Sequence, residues 1–212
     1  MKKLFGKLNM SWLTVLLFAL ATGVYSGLVM LVPALKDTSF RDIGISYEWW
    51  LIFAVIIVVN CEKCWDAMLK CFVFFLVSQP ICYLVQIPFS TEMTLQMAWT
   101  YYFGFWFKMT LLTLPGGLIA YFCKKQNLIG AVILGLGNTI QAIMAVSYSK
   151  QAFVTSFPHH LLTFIVCVVS IFVMTFAIQT GKKNRIIAIV IPIVLAGAMA
   201  AVCMATGRTI FA

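Results

Sequence analysis

Charged residues are scarce in this sequence, and acidic residues are the scarcest of them. Of its 212 residues, 10% are charged and six are Asp or Glu, whereas roughly a quarter of an ordinary soluble domain is charged. Hydrophobic residues make up 63% of the chain, and the mean hydropathy is +1.02. A soluble globular protein is therefore excluded, and we expect the lipid bilayer to be the main partner of the chain.

Groups that catalyse reactions or bind metals are also few. The two histidines, His159 and His160, are adjacent, and neighbouring side chains on a helix point about 100° apart, which makes a poor metal site. Cys61 and Cys64 have the spacing of half a zinc site, but no second pair accompanies them. Seven cysteines are an odd number and imply no disulfide framework. We predict no enzymatic activity, no bound metal and no cofactor.

The remaining residues form long apolar segments. A membrane-spanning helix needs about 20 apolar residues, and dividing the chain at its charged, proline-containing or histidine-containing gaps gives seven candidates. They are 10–35, 43–60, 66–89, 98–122, 128–149, 161–180 and 186–206. The second is apolar without interruption over 49–59 alone, so it spans only if 43–48 add its outer turns. The sequence predicts an all-α, polytopic integral membrane protein of seven transmembrane helices with short loops, a single domain over 1–212.

The basic residues indicate how these segments are oriented. Fifteen Lys and Arg residues give a net charge of +9, and their short clusters between apolar segments are typical of membrane orientation, not of nucleic-acid binding. With the N-terminus in the cytoplasm, ten of them fall inside: Lys2, Lys3, Lys7, Lys63, Lys70, Lys124, Lys125, Lys182, Lys183 and Arg185. The basic residues that fall outside are Lys36, Arg41, Lys150 and Arg208, together with the acidic Asp37, Asp42, Glu48 and Glu92. This pattern predicts an N-in/C-out protein of the plasma or inner membrane and no nucleic-acid partner.

Tryptophan positions agree with the proposed segment ends. Trp12 and Trp65 fall at cytoplasmic starts, and Trp49, Trp50 and Trp99 fall at outer starts. Amphipathic rings are enriched at the level of the lipid headgroups. We therefore expect all five to act as interfacial anchors.

One charge lies deep within a segment. Lys108 is near the middle of 98–122, roughly 15 Å from either end at 1.5 Å per residue. An ammonium group at that depth is costly, and by default it faces a cavity or a partner and marks function. The alternative is that Lys108 extends outward along the helix and serves only folding. Glu48 is the acid nearest in depth, and we expect it to pair with Lys108 in the empty protein.

Polar residues on the third segment favour a solute path beside Lys108. Gln79, Tyr83 and Gln86 recur at i, i+4 and i+7 and form one polar stripe. Prolines such as Pro80 release backbone carbonyls that a neighbour or a ligand must satisfy. Interrupted helices with polar stripes are typical of solute sites in transporters. A similar stripe on the fifth segment, Asn138 and Gln141, is interpreted as polar contact between helices.

The fourth segment places aromatic rings beside the lysine. Tyr102 and Trp106 share one side of the helix with Thr110 by four-residue spacing. Pro115, Gly116 and Gly117 are expected to interrupt the helix below Lys108. An aromatic wall next to a cation suits an anionic or amphipathic small molecule, although an outer aromatic belt in contact with lipid also accounts for these rings.

Small residues on the first segment indicate a packing surface. Ala19, Gly23 and Gly27 recur every four residues, which lets another helix approach closely. In this face, its short loops and its small basic chain, the protein resembles the substrate-binding subunits of vitamin importers of the energy-coupling-factor type. The resemblance implies a membrane protein partner at these residues, and contact within the chain is the alternative.

Together these features favour one function over its alternatives. We expect a small-solute transporter or a substrate-binding membrane subunit, with Lys108, Glu48, Gln79, Tyr83, Gln86, Tyr102 and Trp106 lining its site. The alternative is a membrane scaffold or accessory subunit without a solute. An enzyme ranks third, because no nucleophile with a base and no metal cluster lies within the apolar segments.

Overall fold

A computed structural model describes residues 8–91, 93–155 and 157–206 of the chain. Helices make up 85% of the structure, and the described residues contain no strand, so the predicted all-α class is confirmed. Lys2, Lys3, Lys7, Glu92 and Arg208 of the charge pattern lie outside the described residues, as does the side chain of Lys150.

The helices follow one another through short turns. They are α1 Trp12–Met30, α2 Ser39–Ile45, α3 Tyr47–Asn60, α4 Cys64–Leu84, α5 Leu95–Tyr101, α6 Phe107–Tyr121, α7 Leu128–Lys150, α8 Leu161–Ile178 and α9 Lys182–Thr206. A π-helical turn, Tyr102–Trp106, joins α5 to α6, and a second, Gln151–Thr155, follows α7. Side chains cap three helix starts: Ser11 accepts from the Thr14 amide, Thr94 from the Met97 amide and Asn127 from the Gly130 amide.

Six helical stretches are long and apolar enough to cross a membrane. They are Trp12–Met30, Cys64–Phe89, Leu95–Lys124, Leu128–Thr155, Leu161–Ile178 and Lys182–Thr206. Each overlaps a predicted segment. The predicted segment 43–60 is divided between α2 and α3, which bend by 56° at Ser46, where the backbone is extended. The number of candidate spans reaches seven if this bent pair counts as one.

The distribution of side chains on α1 is the reverse of that on a soluble helix. Its buried residues are mostly small or hydroxylated: Val15, Ala19, Thr22, Gly23, Ser26, Gly27 and Val29. Its exposed residues include the large apolar Leu13, Leu17, Leu20, Val24 and Leu28. Small residues inside and leucine outside are expected of helices that pack against each other in lipid.

The helices group into two units, residues 8–121 and residues 122–206. In the first unit, α1 and α4 approach closely. A Cβ atom on Gly23 would lie 2.6 Å from the Ser78 carbonyl oxygen, and one on Gly27 would lie 2.6 Å from the Cys82 carbonyl oxygen. Both contacts advance by four residues along each helix, so α1 and α4 run parallel. The small-residue face of α1 is therefore occupied by α4 of the same chain, and the geometry gives no support to the predicted partner surface at Ala19, Gly23 and Gly27.

Aromatic rings of α1, α3 and α4 meet in the core of the first unit. Trp50 of α3 lies 5.8 Å from Phe74 and 5.7 Å from Phe75, measured between ring centroids. Phe18 of α1 lies 4.9 Å from Phe74. Trp50 is thus a buried core residue, and its expected role as an interfacial anchor is wrong, because its side of α3 faces α4. The structure leaves Trp12, Trp65 and Trp99 exposed.

The second unit repeats a parallel pair of helices. Gly135 of α7 faces Ile191 of α9, where a Cβ on the glycine would lie 3.0 Å from that of Ile191. Seven residues later, Ala142 clusters with Ala196, so α7 and α9 run in the same direction. Asn138 of α7 donates a hydrogen bond of 3.1 Å to Thr175 of α8. Asn138 therefore makes the contact between helices that its sequence position favoured.

Prolines do not interrupt the helices that contain them. Pro115 lies inside α6, Pro80 inside α4 and Pro192 inside α9. The expected interruption at 115–117 is wrong, since a proline within a long membrane helix removes one backbone hydrogen bond without ending the helix. The irregularity of this span lies above Lys108, in the π-helical turn.

Candidate functional site

Lys108 does not lie in the interior of the first unit. Its side chain is exposed on α6, whereas Glu48 is fully buried and accepts a hydrogen bond from the Ser46 hydroxyl. Lys70, not Lys108, forms an ion pair with an acid among the described residues: its ammonium group lies 2.7 Å from Asp66. The expected pairing of Lys108 with Glu48 is therefore not formed, because one side chain points outward and the other inward.

Two of the predicted site residues, Tyr83 and Trp106, lie with Tyr47 and Tyr101 near the start of α3 and the end of α4. Tyr83 stacks on Tyr101 with ring centroids 6.0 Å apart, and its hydroxyl group is near Trp106. Trp106 in turn lies 6.1 Å from Tyr47. Tyr102, one residue after Tyr101, is buried. The structure thus brings the π-helical turn, the end of α4 and the start of α3 together.

The glutamines of the polar stripe predicted on the third segment have different surroundings in the structure. Gln86 is buried beside α1, where its amide donates to the Cys82 carbonyl at 2.8 Å and contacts the sulfur of Met30 at 3.7 Å. Gln79 is 3% exposed, and its amide nitrogen has no hydrogen-bond partner. Gln86 is therefore satisfied within the fold, whereas Gln79 offers an unused donor to the interior.

Two further residues near Gln79 are buried with unpartnered hydroxyl groups, and the sequence analysis did not select them for the site. Ser78 is fully buried and Thr110 is 1% exposed, and neither side-chain oxygen has a hydrogen-bond partner. The hydroxyl of Tyr102 is buried without a partner as well. Each such group carries a desolvation cost of about 1–3 kcal/mol, so native structures contain few of them.

Contacts between α3 and α4 place Glu48 at the level of Ser78. The two helices run antiparallel: the Cys71 thiol contacts the Ala54 carbonyl at 3.7 Å, and Trp50 contacts Phe74 and Phe75. Glu48 precedes Trp50 by two residues. Because the helices are antiparallel, the same axial distance on α4 leads forward from Phe75 to Val77, next to Ser78. Ser46, where α2 and α3 bend, lies two residues before Glu48. On α4 this corresponds to the level of Gln79.

Contacts between α4 and α6 place Thr110 at the same level. A Cβ on Gly117 would lie 3.2 Å from the Cα of Met68 and 3.4 Å from the Cβ of Cys71. Thr110 lies two turns before Gly117 on the same side of α6, about 10.5 Å along the axis. Since α6 runs opposite to α4, the matching position on α4 is between Phe75 and Ser78.

By axial position, four buried polar residues therefore lie at similar levels of the first unit. Glu48, two residues before Trp50, is on the side of α3 opposite to the ring that contacts α4. We call Glu48, Ser78, Gln79 and Thr110 the polar layer; each is at most 3% exposed. Ser78 and Gln79 lie 14 and 15 residues after Cys64, about 21–23 Å along α4, and so within the bilayer. Pro80 adds a backbone acceptor, because it has no N–H for the carbonyl of Leu76.

The donors and acceptors of the polar layer define what it can bind. Gln79 contributes an amide donor, while Ser78 and Thr110 contribute hydroxyl groups that both donate and accept. Glu48 is the acid of the layer, and the nearest cation in depth, Lys108, points away from it. The layer is therefore chemically suited to a small polar solute that hydrogen-bonds, and the charge that an anionic solute would need lies outside it.

Comparisons of the chain with models of known protein families, with curated proteins and with solved structures give no match. The resemblance to importer subunits thus remains an expectation drawn from the sequence. The functional argument rests on the geometry of the polar layer.

Proposed function

We propose that this protein is a multi-pass membrane transporter, or the substrate-binding subunit of one, that binds a small polar solute within its first unit. The observation that carries the proposal is the set of deeply buried, unpartnered polar groups of Ser78, Gln79 and Thr110 at similar levels. A bound solute would supply the hydrogen bonds that these groups lack. Folding alone gives no reason to keep them, because apolar side chains of the same shape would avoid their desolvation cost.

The solute we propose differs in charge from the one that the sequence suggested. Lys108 lies outside the polar layer, and the ionisable group inside it is the acid Glu48. An anion would meet the carboxyl group of Glu48 there, whereas the ammonium group of Lys108 points away from the layer. A neutral polar or protonated solute fits better, with Tyr83, Tyr102 and Trp106 forming its aromatic path on the outer side.

Irregular backbone around the layer supports transport over static binding. The α2–α3 pair bends by 56° at Ser46, next to the level of Gln79, and the π-helical turn lies above Thr110 on the neighbouring span. Broken helices at membrane depth are typical of transporters, whose half-helices change position around the solute. π-helical turns are also frequent at functional sites.

We further propose that the bent pair counts as one span, which gives seven spans in an N-in/C-out protein of the plasma or inner membrane. Six spans would place the basic clusters 124–125 and 182–185 on the side opposite Lys2, Lys3 and Lys7, against the usual cytoplasmic excess of basic residues. The scaffold alternative loses its main support, since the small-residue face of α1 packs on α4.

The proposal predicts that the purified protein retains a small molecule through its polar layer. Native mass spectrometry of the protein, released from its own membranes in mild detergent, should detect a bound molecule that Gln79→Leu and Thr110→Val both lose. Gln96→Leu and Thr100→Val are matched controls on the exposed side of α5, and they should retain it. A wild-type protein without any small molecule, or equal retention by all variants, would contradict the proposal.

A further inference from the structure

The span that contains Lys108 has the smallest buried fraction of the six candidate spans. In Leu95–Lys124, 11% of the apolar window is buried, against 17% to 56% in the other five. Exposed residues recur along α6 and the preceding π-helical turn at four-residue spacing: Gly104, Lys108, Leu112 and Gly116. We call these four residues the Lys108 face. No residue of the described structure covers it.

Lys108 lies near the middle of its candidate span. It is 13 residues from Leu95 and 16 residues from Lys124, about 20 Å and 24 Å along the helix axis. The hydrocarbon core is about 30 Å thick, so the ammonium group is well inside it.

The glycines of the Lys108 face leave room for a helix. A Cβ on Gly104 or on Gly116 would meet nothing within 4 Å, in contrast to Gly23 and Gly27, whose space is taken by α4. Gly104 lies about one turn from Lys108 and Gly116 about two turns on the other side. Small residues on both sides of a polar residue let a second backbone approach and make a polar contact in lipid.

The described acidic residues of a second copy of this chain are poorly placed to supply the counter-charge. Glu48 is the acid at comparable depth, and it is fully buried in the first unit. The other described acidic residues, Asp37, Asp42, Glu62 and Asp66, lie near the ends of the helices. A counter-charge from a different chain therefore fits the described acidic residues best.

We propose that the Lys108 face docks a transmembrane helix of a partner protein that carries an acidic side chain at mid-membrane depth. Charge complementarity determines the partner's chemistry: Lys108 pairs with the acid, and Gly104 and Gly116 receive the partner helix on either side. This interaction does not depend on the polar layer, which faces the opposite side of α6.

The test uses synthetic transmembrane helices as the probe. The full-length protein carries a benzoylphenylalanine photo-crosslinker at Leu112 and is reconstituted in phosphatidylcholine vesicles with a polyleucine peptide whose central residue is Glu, Lys or Leu. The Glu peptide should crosslink about fivefold or more above the Leu peptide. The same crosslinker at Leu17, an exposed position of α1, is the control and should show no preference for Glu.

Charge exchange identifies Lys108 as the cause. Lys108→Met should abolish the preference for the Glu peptide, and Lys108→Glu should transfer it to the Lys peptide. Equal crosslinking of the Glu and Leu peptides by the wild-type protein would overturn the proposal, as would a Glu preference that survives in Lys108→Met. Neither result would bear on solute retention by the polar layer, so the two proposals fail separately.

Discussion

Lys108 and Thr110 lie two residues apart on α6 and have opposite environments. Lys108 is exposed, whereas Thr110 is 1% exposed with an unpartnered hydroxyl group. A step of two residues on a helix rotates the side chain by about 200°, so the two cannot serve the same site. At the residue scale, the proposed solute site therefore includes Thr110, on the buried side of α6, and leaves out Lys108.

At this scale, we predict that removal of the unpartnered hydroxyl group of Thr110 increases the stability of the protein. Thr110→Val keeps the shape of the side chain and removes a buried, unsatisfied group, so it should stabilise the solute-free protein by about 1–2 kcal/mol. Unfolding by denaturant in detergent micelles measures this.

Thr22→Val is the matched control for this prediction. Thr22 is buried in the same unit, and its hydroxyl donates to the Phe18 and Ala19 carbonyl groups. Its replacement should leave stability unchanged or lower it by up to about 1.5 kcal/mol. If Thr110→Val destabilised the protein as much as Thr22→Val, the hydroxyl of Thr110 would have a structural partner, and the polar layer would lose a member.

At the element scale, the parallel pair α1 and α4 holds the first unit together through glycines. Gly23 and Gly27 both place the α1 backbone against carbonyl oxygens of α4. Ser78 and Gln79 of the polar layer belong to this part of α4. The position of the layer relative to α3 and α6 therefore depends on how closely α1 packs.

A methyl group at this interface should separate the two helices. Gly23→Ala would place its Cβ 2.6 Å from the Ser78 carbonyl oxygen and 2.9 Å from the Cβ of Ile81, and overpacking of this kind costs about 1–3 kcal/mol. The thermal midpoint of the purified protein should fall accordingly.

Gly116→Ala provides the comparison, because a Cβ there meets nothing within 4 Å. Alanine has a higher helix propensity than glycine, so this variant should be as stable as the wild type or more stable by up to about 1 kcal/mol. Equal midpoints for the two variants would mean that α1 and α4 do not pack as closely as the structure has them.

At the scale of the whole molecule, the α2–α3 pair decides the topology. If the pair crosses the membrane, residues before α2 and after α3 lie on opposite sides. If the pair enters and leaves by the same side, the chain has six spans, and its C-terminal basic clusters lie opposite the N-terminal ones.

Reporter fusions distinguish the two topologies. Alkaline phosphatase, which is active only outside the cytoplasm, should be active when fused after Asp37 and inactive when fused after Lys63, as expected for an N-in chain with seven spans. Fusion after Lys125 should be inactive on the same reasoning, since it follows four spans. Activity at both Asp37 and Lys63 would show that the bent pair does not cross.

The sequence analysis identified some of the residues of the candidate site, but not all of them. Gln79 and Tyr102 stand out as polar residues in apolar segments, and both are buried with unpartnered groups. Ser78 and Thr110 gave no such signal, because serine and threonine in membrane helices usually bond to their own backbone, as Ser26 does with Thr22. Tertiary packing alone shows that these two hydroxyl groups lack that bond.

The sequence by itself determined that this protein is helical and contains long apolar segments, because hydropathy depends on composition along the chain. In the structure, six of the seven predicted segments overlap a helical stretch that is long and apolar enough to span a membrane. The sequence did not determine which side of each helix faces inward. Lipid and protein interior are both apolar, so large hydrophobic residues surround every helix and no amphipathic pattern fixes its rotation. Only the tertiary contacts turned Thr110 into the first unit, Lys108 out of it, and the glycines of α1 against α4.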